Sequence, residues 1–363
     1  MNEINYDFNE LLKKSILIYG FGKTAKIAIQ ALRSEGADIV GIAVSDHDGA
    51  PERYNGIEVN APEKWKDAAK DVVVLIATTS THHKAICSVC MKTGFENIIP
   101  LSTELKNDLF CRYYDKWFSE KNVFREKDII IIGKGKYLSP FSTLKNYSST
   151  YLDEFGDFIA PAVFEDYEMI NEGPYELDEV KLSENDIVFD LGANLGLFSV
   201  YAASKGCVSY AFEPNPQLHD IIADQSRLNT EKIKLVPYAV SDQCGTTTLR
   251  LDNVNSANSI ILNSAAYEYE DVLNSSIESQ QVTIDEFVSR EKITHIDFIK
   301  ADIEGAERLM IAGAQNTLRK FAPKLSLCTY HLPDDKEVLT KLILEANPNY
   351  KIKYKWKKLY ACV

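Results

Sequence analysis

Short apolar runs alternate along this chain with longer stretches whose apolar positions recur three and four apart, the pattern of buried strands between amphipathic helices. Residues 16–19 read as a strand, Gly20, Gly22 and Ala25 as a G-x-G-x-x-A turn, and Ile27, Ala28, Ala31 and Leu32 as the apolar face of a helix. Strands follow at 39–44 and 72–78, then a helix carrying Ala85, Ile86 and Val89, and a short strand at 97–100. Elements of these lengths in this order predict a small parallel sheet with helices on its faces. Leu109, Phe110, Tyr113, Tyr114, Trp117 and Phe118 keep helical spacing within residues 103–125, predicting an aromatic packing helix.

A strand-like IIIIGKGKY from Ile129 and irregular aromatic-rich sequence follow, and then the alternation resumes. Strands are predicted at 187–189, 208–212, 233–240, 296–299 and 324–329, with helical stretches at 197–203 and 217–228. Residues 246–251 alternate like an edge strand, and 350–355 with 359–363 read as a closing hairpin. The fold class is α/β, in three parts: an N-terminal Rossmann-like domain at 1–125, a connector and lead-in at 126–173, and a larger domain at 174–363.

The chemistry concentrates in residues 186–216. An apolar strand ends in Asp190 and the turn Gly192, Ala193, Asn194, Leu195, Gly196, and a helix starts directly after it. Glycines at such a turn let backbone approach a ligand where a Cβ would collide, and the helix start offers free N–H groups. A second strand ends in Glu213, about 20 residues after the turn, where a carboxylate can accept both hydroxyls of a ribose. The turn matches neither GxGxxG nor GxxxxGK[ST], so it does not read as a dinucleotide pyrophosphate loop or a P-loop.

A formal charge of −13 disfavours nucleic-acid and anionic-membrane partners, since phosphate is bound by clustered Lys and Arg. The 363 residues, 45% hydrophobic, contain no run that would span a bilayer, and the N-terminus lacks the apolar core of a signal peptide. Seven scattered cysteines argue for a reducing, cytoplasmic setting. Cys87 and Cys90 share one helix with no second pair to complete a zinc site, and adjacent His82 and His83 point apart. Lys351, Lys353, Lys355, Lys357 and Lys358 read as a solvated strand face.

In an open parallel sheet the ligand crevice lies outside the carboxyl ends of the strands, so Asp302 and Glu304 after one strand and His331 after the next are expected at one rim. They form a candidate general-base cluster: His331, with an ordinary pKa of about 6.5, is expected as base, with Asp302 orienting the acceptor or polarising the histidine. Glu307 reads as a surface residue of a first helical turn. The same donors suit a divalent metal positioning a diol, an alternative that stays open.

The motifs DLGANLG, FEPNP, YAVSD and KADIEGAE, in this order, resemble the FkbM family of S-adenosylmethionine-dependent O-methyltransferases, from about residue 174 onward. The resemblance implies a class I methyltransferase Rossmann-like sheet, parallel and closed by an antiparallel hairpin. It implies S-adenosylmethionine as cofactor, held by Asp190, Gly192, Asn194, Gly196 and Glu213, with Ala239 and Val240 flanking the adenine and Asp242 near its exocyclic amine. Asp302, Glu304 and His331 would face the acceptor, Glu176 beside Tyr175 the amino end of the cofactor, and the segment SANSI (256–260) the acceptor. The acceptor implied is a hydroxyl of a sugar, glycan precursor or secondary metabolite, and a homo-oligomer stays open. The stretch ATTSTHHKAI (77–86) resembles sugar-type NAD(P)-dependent oxidoreductases without their E-K-P element. The rival reading is therefore a nucleotide-sugar or NAD-dependent protein using Gly20, Gly22 and Asp46.

Overall fold

The structure, a computed structural model, describes residues 8–45, 50–78, 82–251, 259–261 and 275–363. Asp46, residues 79–81 and most of the SANSI segment lie outside them. The chain divides into two compact units, Met1–Asn122 and Val123–Val363.

The first unit holds strands β1 (Ser15–Tyr19), β2 (Asp38–Ala43), β3 (Arg53–Tyr54), β4 (Ile57–Asn60), β5 (Val72–Ile76) and β6 (Asn97–Pro100). They form one sheet in the order β3-β4-β2-β1-β5-β6, with β1 parallel to both β2 and β5. The β3 and β4 pair is an addition to the strands expected, joined to β2 through parallel β4. Its strands are too short to carry a readable alternation. Gly20, at φ +120°, turns the chain after β1, where a Cβ would meet the Thr78 methyl at 2.8 Å. Cys90 is fully buried in a helix and Cys87 partly so, and burial raises both thiols, Cys90 to about 12. The helix Thr103–Glu120 is capped by the Ser102 hydroxyl, which accepts from the Leu105 N–H at 3.2 Å, and it buries all six of the residues expected to pack.

The second unit begins with β7 (Phe124–Glu126), β8 (Ile129–Ile132) and β9 (Gly135–Leu138), a three-stranded meander. IIIIGKGKY is thus two strands around a turn rather than one. The meander belongs to the second unit: the Leu138 N–H donates to Gln225 Oε1 at 3.1 Å and the Lys136 N–H to Asn229 Oδ1 at 2.9 Å. Next come β10 (Ile187–Leu191), β11 (Val208–Phe212), β12 (Ile233–Val236), β13 (Ala239–Val240), β14 (Gly245–Leu251), β15 (Ser259–Ile261) and β16 (Ser275–Val282). The chain ends with β17 (Phe298–Ala301), β18 (Lys324–Cys328), β19 (Lys351–Lys355) and β20 (Lys358–Cys362).

Seven of these strands make the main sheet, in the order β12-β11-β10-β17-β18-β20-β19. All pairings from β12 to β18 are parallel, and β20 runs antiparallel to both β18 and β19. From β10 the chain builds outward on one side and later returns to the other, so the strand order reverses between β10 and β17. The crevice outside the carboxyl ends of these two strands is the natural ligand site of such a sheet. Phe189, Phe212 and Phe287 pack beneath it, with the Phe212 and Phe287 ring centres 4.8 Å apart.

Residues 233–240 were expected to be one strand, but Pro237 has no N–H to give to a ladder and the segment divides there. β12 stays in the main sheet and β13 joins a second sheet, β13-β16-β14-β15. In that sheet β14 lies between β16 and β15, so it is not the edge strand that its alternation suggested. At the C-terminus Lys351, Lys353 and Lys355 are exposed as expected. Lys358 is not: it is 1% exposed, and its Nζ donates to the Glu172 carbonyl at 3.2 Å and lies over the Tyr175 ring.

Candidate active site

In the β10–β17 ladder Asp190 stands directly opposite Lys300. Both side chains are buried, and Lys300 Nζ lies 3.0 Å from Asp190 Oδ1. The other Asp190 oxygen accepts from the Ser199 hydroxyl at 2.7 Å, while Lys300 also donates to the Gly192 carbonyl at 2.6 Å. One buried ion pair therefore fixes the start of the glycine turn. Burial alone would lower the Lys300 ammonium, but the carboxylates of Asp190, Asp302 and Glu154 outweigh it and raise it.

Gly192 adopts φ +71°, and a Cβ there would stand 2.0 Å from the carbonyl oxygen of Asp302. The protein's own backbone thus requires a glycine here. Gly196, at φ +78°, caps the helix Leu197–Ser204, and its Cβ would make only an ordinary 3.5 Å contact with Ile222.

Glu213, 3% exposed, folds back onto this turn. Its Oε2 accepts from the Asn194 N–H at 2.9 Å and its Oε1 from the Asn215 N–H at 2.8 Å. Burial raises this carboxyl to about 7 against the lowering effect of the two N–H groups. Asn194, at φ +51°, donates its Nδ2 to Glu154 Oε1 at 2.6 Å, and its own Oδ1 is buried without a hydrogen-bond partner. Burial raises the Glu154 carboxyl as well, to about 8.

The structure brings Asp190, Gly192, Asn194, Gly196 and Glu213 together in one strand–turn–helix unit. Ala239 and Val240 are buried in the second sheet, where Ala239 packs against Leu249 and Ala306, close to Ile303. Asp242 is exposed and lies 3.2 Å from the Ser241 hydroxyl. Glu176 is engaged elsewhere, by the Leu182 N–H, the Tyr201 hydroxyl and Lys205.

Asp302, Glu304 and His331 do meet at one rim. The Tyr175 hydroxyl donates to Asp302 Oδ2 at 2.9 Å and the Tyr330 hydroxyl to Oδ1 at 3.3 Å. His331 Nε2 lies 3.6 Å from Asp302 Oδ1 and 3.4 Å from Glu304 Oε2, and its Nδ1 lies 3.2 Å from Glu307 Oε1. Glu307 is 0% exposed, a correction to its reading as a surface residue. Its Oε1 accepts from the Ile303 N–H at 2.9 Å, an arrangement made by the turn that precedes its helix.

The electrostatics of this rim follow from its crowding. Burial would raise the Asp302 carboxyl, but Lys300, His331, Lys358 and the Tyr175 hydroxyl together hold it at about 2. Burial raises Glu304 to about 7, with His331 opposing the rise. Burial would lower His331, yet the charge and hydrogen bond of Glu307, then Glu304 and Asp302, push it up to about 10. It is therefore an imidazolium at neutral pH, unlike the neutral imidazole on which its expected role as base depends. Glu304 has φ +53°, a backbone conformation disfavoured for a residue with a side chain and common at functional turns.

Sequence reasoning missed Lys300 and Glu154. The signal for Lys300 was a single lysine inside an otherwise apolar strand; for Glu154 there was none, since it lies 40 residues from the Asn194 it binds.

A parallel sheet that reverses order at a glycine turn, carries an acid at the tip of the neighbouring strand and closes with a reversed hairpin is the class I methyltransferase fold. Residues 190–354 match the family model described as the methyltransferase FkbM domain. The chain is similar to the hexuronic acid methyltransferase AglP of Haloferax volcanii, 24% identical over 45% of this chain and 63% of that protein. It is also similar to the 31-O-demethyl-FK506 methyltransferase FkbM of Streptomyces tacrolimicus, 25% identical over 38% of this chain and 62% of that protein. The chain thus spans less than two thirds of the length of these curated relatives. Among solved structures it is similar to the methyltransferase FkbM of Methylobacillus flagellatus KT, 16% identical over 96% of this chain and 90% of that one, with a TM-score of 0.43. Among the described residues no helix is long and apolar enough to cross a membrane.

Proposed function

We propose that the protein is an S-adenosylmethionine-dependent O-methyltransferase acting on a hydroxyl of a sugar-like or related secondary-metabolite acceptor. The observation that carries this reading is the Glu213 carboxylate at the tip of β11, tied by N–H bonds to Asn194 and Asn215 beside the strand-order reversal. A carboxylate has about four lone-pair sites, and these two bonds leave it capacity for ribose hydroxyls. The buried, unpartnered Asn194 Oδ1 is a second open acceptor in the same turn. These residues suit S-adenosylmethionine, which when bound supplies an electrophilic methyl group. The sugar-like acceptor is suggested by the name of one relative, a hexuronic acid methyltransferase, and the wider class of acceptor by that of the other, a 31-O-demethyl-FK506 methyltransferase.

On this reading Asp190 and Lys300 hold the turn rigid, and the rim of Asp302, Glu304 and Tyr330 receives the acceptor hydroxyl. Glu304, with a side chain 30% exposed, is the most open acid of the cluster and takes the hydroxyl proton. His331, held as an imidazolium among three carboxylates, fixes Glu304 and Asp302 rather than acting as base.

Calorimetric titration with S-adenosylmethionine, S-adenosylhomocysteine and NAD tests the cofactor assignment. Both adenosyl ligands should bind, and Glu213→Ala should weaken them by tenfold to hundredfold, about 1.4–2.7 kcal/mol, as expected for removing a charged hydrogen-bond acceptor. Because the carboxylate must be ionised to accept from hydroxyls, affinity should rise as pH is raised through about 7, and this dependence should vanish in the variant. Binding of NAD alone would instead favour a nucleotide site at Gly20 and Gly22.

A further inference from the structure

We infer that Asp302, Glu307 and His331 form a binding site for a single divalent cation of the manganese(II) class. One ligand atom from each of these residues lies within 4.8 Å of the other two. An ion about 2.0–2.2 Å from each donor sets the donor atoms roughly 3–4.4 Å apart, so donors within 4.8 Å of one another reach a shared ion with side-chain adjustments of a few tenths of an ångström. The 3.6 Å from Nε2 to Asp302 is beyond the limit of a hydrogen bond yet natural between ligands of one metal.

The polar atoms of this cluster are also left open. The His331 side chain is 5% exposed and that of Glu307 fully buried; ring Nδ1 is engaged by Glu307 Oε1 at 3.2 Å, yet ring Nε2 and Glu307 Oε2 lack a hydrogen-bond partner. Buried polar atoms without a partner are rare, and each calls for an explanation such as a bound ion. The remaining atoms are fixed from behind. The Ile303 N–H holds Glu307 Oε1, and the Tyr175 and Tyr330 hydroxyls hold Asp302, the outer hydrogen bonds by which metal-binding carboxylates are oriented.

Charge points the same way. Asp302, Glu304 and Glu307 surround one imidazole, so carboxylates outnumber it in either of its protonation states. The nearest buried cations, Lys300 and Lys358, make their direct contacts with Asp190 and the Glu172 carbonyl, although both also favour the Asp302 carboxylate. Carboxylates favour magnesium, calcium and manganese, whereas imidazole favours transition metals; manganese(II) satisfies both preferences. On binding, the cation takes the place of the ring proton, which leaves to solvent. The ion would sit at the acceptor rim with coordination positions free for two neighbouring hydroxyls, so the acceptor class is a vicinal diol. This last step, unlike the metal site, rests on the methyltransferase reading.

The test is titration of the chelator-treated full chain with manganese(II), followed by calorimetry and by loss of the free-ion electron paramagnetic resonance signal. One ion per chain is expected, with affinity reduced at least tenfold in both Glu307→Gln and His331→Asn. Melting of each variant without metal checks that it is folded. Glu307→Gln keeps the size of the side chain and an oxygen for the Ile303 N–H, so it serves where His331→Asn does not fold. Manganese should raise the melting temperature of the wild type and not that of the variants. No binding at millimolar manganese, or equal binding by wild type and folded Glu307→Gln, overturns the site. S-adenosylmethionine binding is measured separately in chelator: cofactor binding without manganese binding overturns only the metal site, and manganese binding without cofactor binding overturns only the methyltransferase reading.

Discussion

Lys300→Met is expected to destabilise the second unit by about 3–5 kcal/mol, the cost of leaving a buried charge without its partner. Asp190 is completely buried and shares its two oxygens between the Lys300 ammonium and the Ser199 hydroxyl. Removing the ammonium also strips the Gly192 carbonyl of a donor at 2.6 Å. For a unit of this size each kcal/mol moves the melting temperature by about 2–4 °C, so the second unit should melt about 6–20 °C lower. If the cost comes from the abandoned charge rather than from lost packing, Asp190→Leu combined with Lys300→Met should recover most of it. Replacing a whole buried pair by apolar side chains is often neutral. A Lys300→Met protein that melts within 2 °C of the wild type would show that Asp190 finds other compensation, and the pair would lose its place as the anchor of the turn.

That anchor shows where the reading of the sequence stops. The turn, its two glycines and Glu213 were visible because their roles depend on short spacing: strand, turn, helix and acid lie within one βαβ unit. The meeting of Asp302, Glu304 and His331 was visible because strand ends in a parallel sheet share one rim. Lys300 was not, because its role depends on the β10–β17 register, which pairs it with a residue 110 positions earlier. Glu154 comes from an aromatic, irregular segment without strand or helix periodicity. The protonation state of His331 was misjudged for a related reason. An ordinary imidazole pKa was assumed, whereas Glu307, read as exposed, is buried against Nδ1.

The local errors have equally specific causes. β14 alternates like a half-exposed strand, and its pattern does not reveal that β15 and β16 lie on either side of it. Lys358 follows four lysines in close succession and looked solvated with them, but it begins β20, which is sandwiched between β18 and β19. Charge patterns alone do not distinguish an edge strand from its inner neighbour.

The two turn glycines are expected to respond very differently to the same substitution. Both have positive φ, so alanine at either position costs about 1–2 kcal/mol of backbone strain. At Gly196 little is added, because the new methyl meets only the flexible Ile222 side chain at 3.5 Å. At Gly192 it would stand 2.0 Å from the Asp302 carbonyl oxygen, a backbone atom. The Asp302 N–H is itself bonded to the Leu191 carbonyl at 3.1 Å, so the overlap can be relieved only by prying the ends of β10 and β17 apart. Gly192→Ala should therefore exceed about 4 kcal/mol, the exceptional range for a single substitution. It should also abolish binding of S-adenosylmethionine, whereas Gly196→Ala remains folded. Thermal melting of the two variants side by side decides the matter. Equal losses would mean that positive φ alone sets the cost, and the close approach of the Asp302 backbone would then have no special weight in building the crevice.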